Sequence, residues 1–118
     1  AIGSIGSLFL SDERCKDKIE AIDNALETLR ELQPVSFYYN SEYSATPERL
    51  HHGFIAQQYK EVMPDATYYD SSKELYCIDT NDLIALLVRA VQQLELKIGN
   101  LEAVGGLRRT MNFSLGGK

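Results

Sequence analysis

The sequence has little cysteine: Cys15 and Cys77 stand alone, far apart, with no metal-ligand spacing and no disulfide framework. Two such thiols read as free cysteines of a protein made in a reducing compartment. Basic clusters are also missing. The formal net charge is -5, and the one basic pair near an end, Arg108-Arg109, is too small a footprint for phosphates. Nucleic acid and membrane surfaces are therefore not expected as partners. No apolar run approaches the length of a bilayer span, and the N-terminus lacks the regions of a signal peptide. No Ser-His-Asp order, glycine-rich phosphate loop or paired-carboxylate site stands out. His51-His52 beside Gly53 gives two possible metal ligands without a third, so no metal and no cofactor is expected.

What is there suits one small domain of 118 residues. Hydrophobic residues at 44% and charged residues at 25% exclude disorder on composition. The chain opens on Ala1 rather than Met, which reads as a piece of something longer. Residues 1–10, AIGSIGSLFL, are uncharged, rich in Gly and Ser, and close on Leu8-Phe9-Leu10; they read as the end of an extended upstream element. The next ten, SDERCKDKIE, hold seven charged residues, so the functional boundary is placed at residue 11.

Asp23 or Asn24 is expected to cap a helix carrying Leu26, Leu29 and Leu32, which Pro34 ends. Val35 to Tyr39 reads as a strand, 40–52 as a polar loop, and Gly53 to Ala56 as a second short strand. A helix over Gln57 to Met63 stops at Pro64. Ala66 to Tyr69 and Leu75 to Ile78 flank Asp70-Ser71-Ser72-Lys73-Glu74 as a hairpin. Asp79 or Thr80 then starts a helix over 79–104, closed by Gly105-Gly106. Residues 105–118 have no clear period and read as a tail or late strand. The fold class is α+β, a small antiparallel sheet flanked by short helices, with a long C-terminal helix.

That long helix carries Ile84, Leu87, Val91, Leu94, Ile98 and Leu101 at spacings of 3, 4, 3, 4 and 3. This is a heptad seam with Ile or Val at a and Leu at d. Leu83, Leu86 and Val88 add apolar surface to its first half, which should be buried on two sides. A single core helix of a monomer gives a similar stripe. The persistence of the seam past Leu94, beyond a small body, favours self-association. The heptad alone leaves the copy number open.

A serine nucleophile without histidine can use a lysine as its base. Ser11 and Lys16 fall where apolar sequence gives way to polar. Five residues apart, they would lie about 140° apart on a regular helix. They can meet only if Ser11 sits outside the helix and Lys16 reaches back from the next turn. The simpler reading is a Ser N-cap and a solvated lysine.

Ser11-Asp12-Glu13-Arg14-Cys15-Lys16-Asp17-Lys18-Ile19 resembles the SDxRLKxxI signature of the intramolecular chaperone and autoprotease domains, the S74 peptidase family. These close phage tailspikes, tail fibres, neck appendages and endosialidases; a related domain occurs in a membrane-anchored eukaryotic transcription factor. Gly53-Phe54-Ile55-Ala56-Gln57-Gln58, running on through Glu61-Val62-Met63-Pro64-Asp65-Ala66, is similar to the family's GFIAQEVxxVxPEAV block. Ile78-Asp79 with Leu83 to Val91 is similar to its VDYxxLIALLVEAIKEL helix. Cys15 replaces the usual Leu, and Thr80-Asn81 the usual aromatic and polar pair. The resemblance implies a homotrimeric coiled coil over 79–104 and a chaperone domain over 11–118. It also implies Ser11 as nucleophile, Lys16 as general base, and self-cleavage between Leu10 and Ser11. The partners implied are two further copies and the upstream β-rich fibre or spike region of the same chain, in the host cytoplasm during virion assembly. The upstream part would end in the virion tail or appendage and this domain would be released. The alternative is a trimerisation module that is never cut.

Overall fold

The computed structural model describes residues 4–5 and 8–116, with side chains from 8 to 105. Beginning from the N-terminus, β1 (Ser4–Ile5) and β2 (Leu8–Phe9) pair antiparallel. A 3-10 turn at Glu13–Cys15 leads to α1 (Ala25–Glu31). Then follow β3 (Val35–Phe37), β4 (His51–Gly53), α2 (Ala56–Val62), a second 3-10 turn at Pro64–Ala66, β5 (Thr67–Asp70), β6 (Leu75–Ile78) and α3 (Asn81–Gly116). The architecture is α+β, but the described strands form three separate two-stranded antiparallel ladders instead of one small sheet.

β4 lies two residues earlier than the apolar pattern predicts. The register sets Phe37 opposite His51 and Val35 opposite Gly53. His51 stacks on Phe37 at 5.6 Å and meets Tyr39 edge-on at 4.9 Å. Cross-strand aromatic packing thus draws the two histidines out of the expected loop and into the ladder. Ile55 becomes the N-cap of α2, whose own burial is fixed by Tyr59. The β5–β6 hairpin follows the sequence reading. Its turn is tied by Asp70, whose carboxylate accepts from Ser72 N–H and Oγ and from Lys73 N–H.

The main contact of the fold is α1 against α3. Ala25, Leu83, Leu86 and Ala90 are buried together, with Leu26, Leu29, Leu32, Phe54 and Met63 packed around them. Alanine at 25 and 90 lets the two backbones approach closely. Val88 turns away from this cluster and is exposed, contrary to expectation, because α1 covers only one stripe of α3. Asn24, at φ 55°, makes no side-chain capping bond. The second N–H of α1, at Leu26, donates instead to Gln93 Oε1 of α3 at 3.3 Å. Asp79 Oδ1 accepts from Asn81 N–H at 2.8 Å at the start of α3.

α3 does not stop at Gly105-Gly106; its backbone is helical to Gly116. Glycine ends a helix when it takes a left-handed conformation with capping bonds. Left within the helix it costs about 1 kcal/mol relative to alanine, which a long flanking helix tolerates. At 36 residues α3 is about 54 Å long. The radius of gyration is 21.6 Å, against roughly 13–14 Å for a compact chain of this length. The helix therefore projects well beyond the body.

Ala90→Leu, which leaves helix propensity nearly unchanged, should destabilise the domain by about 1–3 kcal/mol through overpacking, whereas Ala85→Leu on the exposed side should stay within ~0.5 kcal/mol; urea denaturation of both distinguishes packing from propensity. Tyr59 gives a second expectation. Its hydroxyl donates to the Asp79 carbonyl at 3.0 Å. Burial, with Asp82 and Asp79 nearby, raises its phenol above the ordinary 10.0. The folded state then holds a proton that the unfolded chain releases. The stability linked to it is present below about pH 10 and is lost as pH rises through the folded value. Stability measured against pH should fall less steeply above pH 10 in Tyr59→Phe than in the wild type.

Candidate active site

Ser11 directly follows β2 and the exposed Leu10, outside any helix. Asp12, with φ −64° and ψ 137°, caps the 3-10 turn Glu13–Cys15. Two backbone bonds define that turn: Cys15 N–H to the Asp12 carbonyl at 3.0 Å and Lys16 N–H to the Glu13 carbonyl at 3.1 Å. Lys16 then leaves in extended conformation, φ −123° and ψ 143°. The chain has turned back just far enough for Lys16 Nζ to donate a hydrogen bond to Ser11 Oγ at 2.7 Å. Both residues are exposed. Lys18, at φ 52°, redirects the segment after the site.

The turn is held by an ion pair that spacing arguments overlook. Asp12 Oδ1 accepts from Arg14 N–H at 2.8 Å and from Arg14 Nε at 3.1 Å, while Oδ2 accepts from Nη2 at 3.0 Å. Bonding to the Arg14 side chain first, and to its backbone N–H second, holds the Asp12 carboxyl below its ordinary 3.8. Asp12 in turn raises the Arg14 guanidinium above its ordinary value. The signal in the sequence is an Asp at a cap position followed two residues later by Arg.

The arrangement can place a hydroxyl oxygen next to an amine, at the junction of an exposed apolar strand and a polar turn. Leu8, Phe9 and Leu10 are all exposed, so the Leu10–Ser11 bond lies in an accessible segment. His51 and His52 are spent on the β3–β4 ladder and its aromatic stack, and no group of three or more His, Cys, Asp or Glu side chains is gathered among the described residues. Cys15 and Cys77 are free and exposed. No helix among the described residues is long and apolar enough to cross a membrane. On α3, Ile84, Leu87, Val91, Leu94, Ile98 and Leu101 are each between 45% and 70% exposed, on the side that α1 leaves uncovered.

Comparison with known proteins adds a family. The profile described as chaperone of endosialidase, peptidase S74, matches residues 11–68, beginning on Ser11. The chain is 35% identical over 99 residues to the "Probable tail fiber protein" of Escherichia phage Phieco32, covering 80% of this chain and 13% of that protein. It is 31% identical over 97 residues to the long tail fiber protein Gp37 of Enterobacteria phage K3, covering 79% of this chain and 8% of that one. Gp37 of Enterobacteria phage T2 is similar at 31%, over 7% of its length. The chain thus spans a small fraction of these relatives. From the serine that opens its turn to the second residue of β5, it belongs to the chaperone of endosialidase family, peptidase S74.

Proposed function

We propose that this chain is the C-terminal intramolecular chaperone of a phage tail fibre or related spike, which assembles as a homotrimer, registers the upstream β-rich chains and then cuts itself off between Leu10 and Ser11. The observation that carries this reading is the 2.7 Å contact between Lys16 Nζ and Ser11 Oγ, at the first residue of the family match. The tail fibre relatives support the assembly context: synthesis in the host, with the upstream part retained in the virion.

The chemistry follows from the pair. Neutral Lys16 takes the proton of Ser11 Oγ as the oxygen attacks the Leu10 carbonyl carbon. The resulting tetrahedral centre collapses by breaking the Leu10–Ser11 C–N bond, and the Lys16 ammonium returns the proton to the leaving Ser11 nitrogen. Leu10 is then esterified to Ser11 Oγ. Water, deprotonated by the same amine, attacks the ester and leaves a Leu10 carboxylate and a free Ser11 hydroxyl. The reaction needs no cofactor and turns over once. Loss of the chaperone makes the trimer kinetically stable, since the element that guided assembly is no longer there to reverse it.

Trimerisation rests on the exposed seam. A patch of this extent is unusual for a monomer, and its 3-4 spacing is that of a coiled coil. A second reading, a trimerisation module that is not cut, is favoured by one observation: Ser11 and Lys16 both face solvent in the single chain, and a lysine acts as a base only when neutral. Desolvation in an assembly disfavours a charged amine.

Ser11→Ala and Lys16→Ala should each abolish the fragment that begins at Ser11 in intact-mass spectra, with trimer content unchanged. Lys16→Arg should also block it, because arginine keeps the donor but does not give up its proton. Cleavage in Lys16→Arg at the wild-type rate would remove Lys16 from the base role. For the seam, Leu94→Gln with Ile98→Gln should lower both trimer content, by analytical ultracentrifugation, and the yield of cut product. Full processing in a sample shown to be monomeric would separate the chemistry from assembly.

A further inference from the structure

We infer that the Asp12–Arg14 ion pair is the positioning element of the Ser11–Lys16 site. This rests on the cleavage reading above and assigns the residues that hold its geometry.

Ser11 and Lys16 are brought together by one 3-10 turn and by nothing larger. No residue of that turn is buried, so packing does not fix it. Its two backbone bonds, at 3.0 and 3.1 Å, lie in a segment open to water, where such bonds are readily exchanged. What distinguishes the turn is the Asp12 carboxylate. It accepts three N–H groups of Arg14, one from the backbone and two from the guanidinium. The backbone bond satisfies a free donor at the start of the turn. The two-pronged side-chain interaction closes a ring across residues 12 to 14 and is of the charge-assisted, geometrically selective kind. Lys16 leaves from the end of this ring. Its Nζ reaches Ser11 Oγ only while residues 13 to 15 keep the 3-10 path; in a regular helix the two side chains diverge. Neither Asp12 nor Arg14 makes a hydrogen bond to Ser11 or Lys16 side chains, so they act through the backbone. Misplacement of a reacting group by about 1 Å can cost roughly a hundredfold in rate, so a loosened turn is felt in the chemistry before it is felt in the fold.

The test is a double-mutant cycle on the full chain. Asp12→Asn keeps an acceptor for the Arg14 backbone N–H but removes the charged fork; Arg14→Ala removes the fork from the other side. Each should slow the first-order appearance of the Ser11 fragment about tenfold, at unchanged trimer content and melting temperature. The double variant should be no slower than the slower single one, because both remove one interaction. Arg14→Lys should recover part of the rate, since its ammonium keeps the charge without the planar fork. Rates within twofold of wild type, or effects that multiply to about a hundredfold in the double variant, would overturn the assignment. If the wild-type chain is not cut at all, or Ser11→Ala is cut, the cleavage reading fails instead. The positioning role is then decided by crystal structures of Asp12→Asn and Arg14→Ala. Lys16 Nζ still hydrogen-bonded to Ser11 Oγ in both variants rejects it. The two atoms drawn apart in both, with α1 and α3 still packed, support it.

Discussion

The fold depends on a mismatch of lengths. α1 has seven residues and α3 has 36. The short helix can cover only the stripe of α3 that carries Leu83, Leu86 and Ala90, and the approach is close because the residues at the crossing include Ala25 and Ala90. Outside that stripe Ile84, Leu87, Val88, Val91, Leu94, Leu96, Ile98, Leu101 and Val104 of α3 are exposed in the single chain. The buried hydrophobic set among the described residues is correspondingly small: Ala25, Leu83, Leu86 and Ala90, with Tyr59 of α2 and Ala66 of the 3-10 turn after it. A domain with so little interior gains stability from association. In the proposed reading, self-association would complete the burial that the single chain leaves undone.

The same economy governs the site. A catalytic pair on a rigid scaffold would be held by buried neighbours. Here Ser11 and Lys16 sit in the exposed link between the β1–β2 ladder and α1, and their approach is set by a single turn. A link of this kind suits a reaction that occurs once. In the proposed reading the segment to be cut enters the site as part of the chain, so the Ser11 hydroxyl and the Leu10 carbonyl are adjacent by covalent connection. Proximity, the most demanding part of catalysis between separate molecules, is supplied by the sequence itself. In that reading, what the fold adds is the base.

Local signals carry much of this. Pro34 and Pro64 bound α1 and α2, the 70–74 turn announces its hairpin, and the break in composition at residue 11 coincides with the start of the family match. The geometric condition on Ser11 and Lys16, a serine outside the helix and a lysine returning from the next turn, is also legible, because helical periodicity excludes the alternative. The departures share a non-local cause. The N-terminal donor of α1 is met by Gln93, 67 positions away, so no local pattern could replace the Asn24 cap. β4 is displaced by the stacking of His51 on Phe37, a choice made by cross-strand register. The Gly105-Gly106 pair reads as a stop because glycine often is one; whether it stops a helix depends on the capping bonds available to the following residues.

The exposed state of the pair bears on when the reaction occurs in the proposed cycle. In the single chain Lys16 Nζ and Ser11 Oγ meet at 2.7 Å in contact with water, whereas a working base takes a proton from its nucleophile. The general means by which a protein favours a neutral amine are desolvation and a neighbouring positive charge. In the single chain the turn around the pair is open to water, and Arg14 is paired with Asp12. Among the described residues, the exposed apolar side chains include those of α3 outside the α1 contact, Leu8-Phe9-Leu10 and Ile19. Packing that covers them excludes water from neighbouring segments, and Leu8-Phe9-Leu10 adjoins the scissile bond directly. In the proposed reading, assembly and activation are then one physical event: the burial that joins the copies also excludes water from the segment beside the Leu10–Ser11 bond, and a chain that has not found its partners has no dry site in which to cut itself.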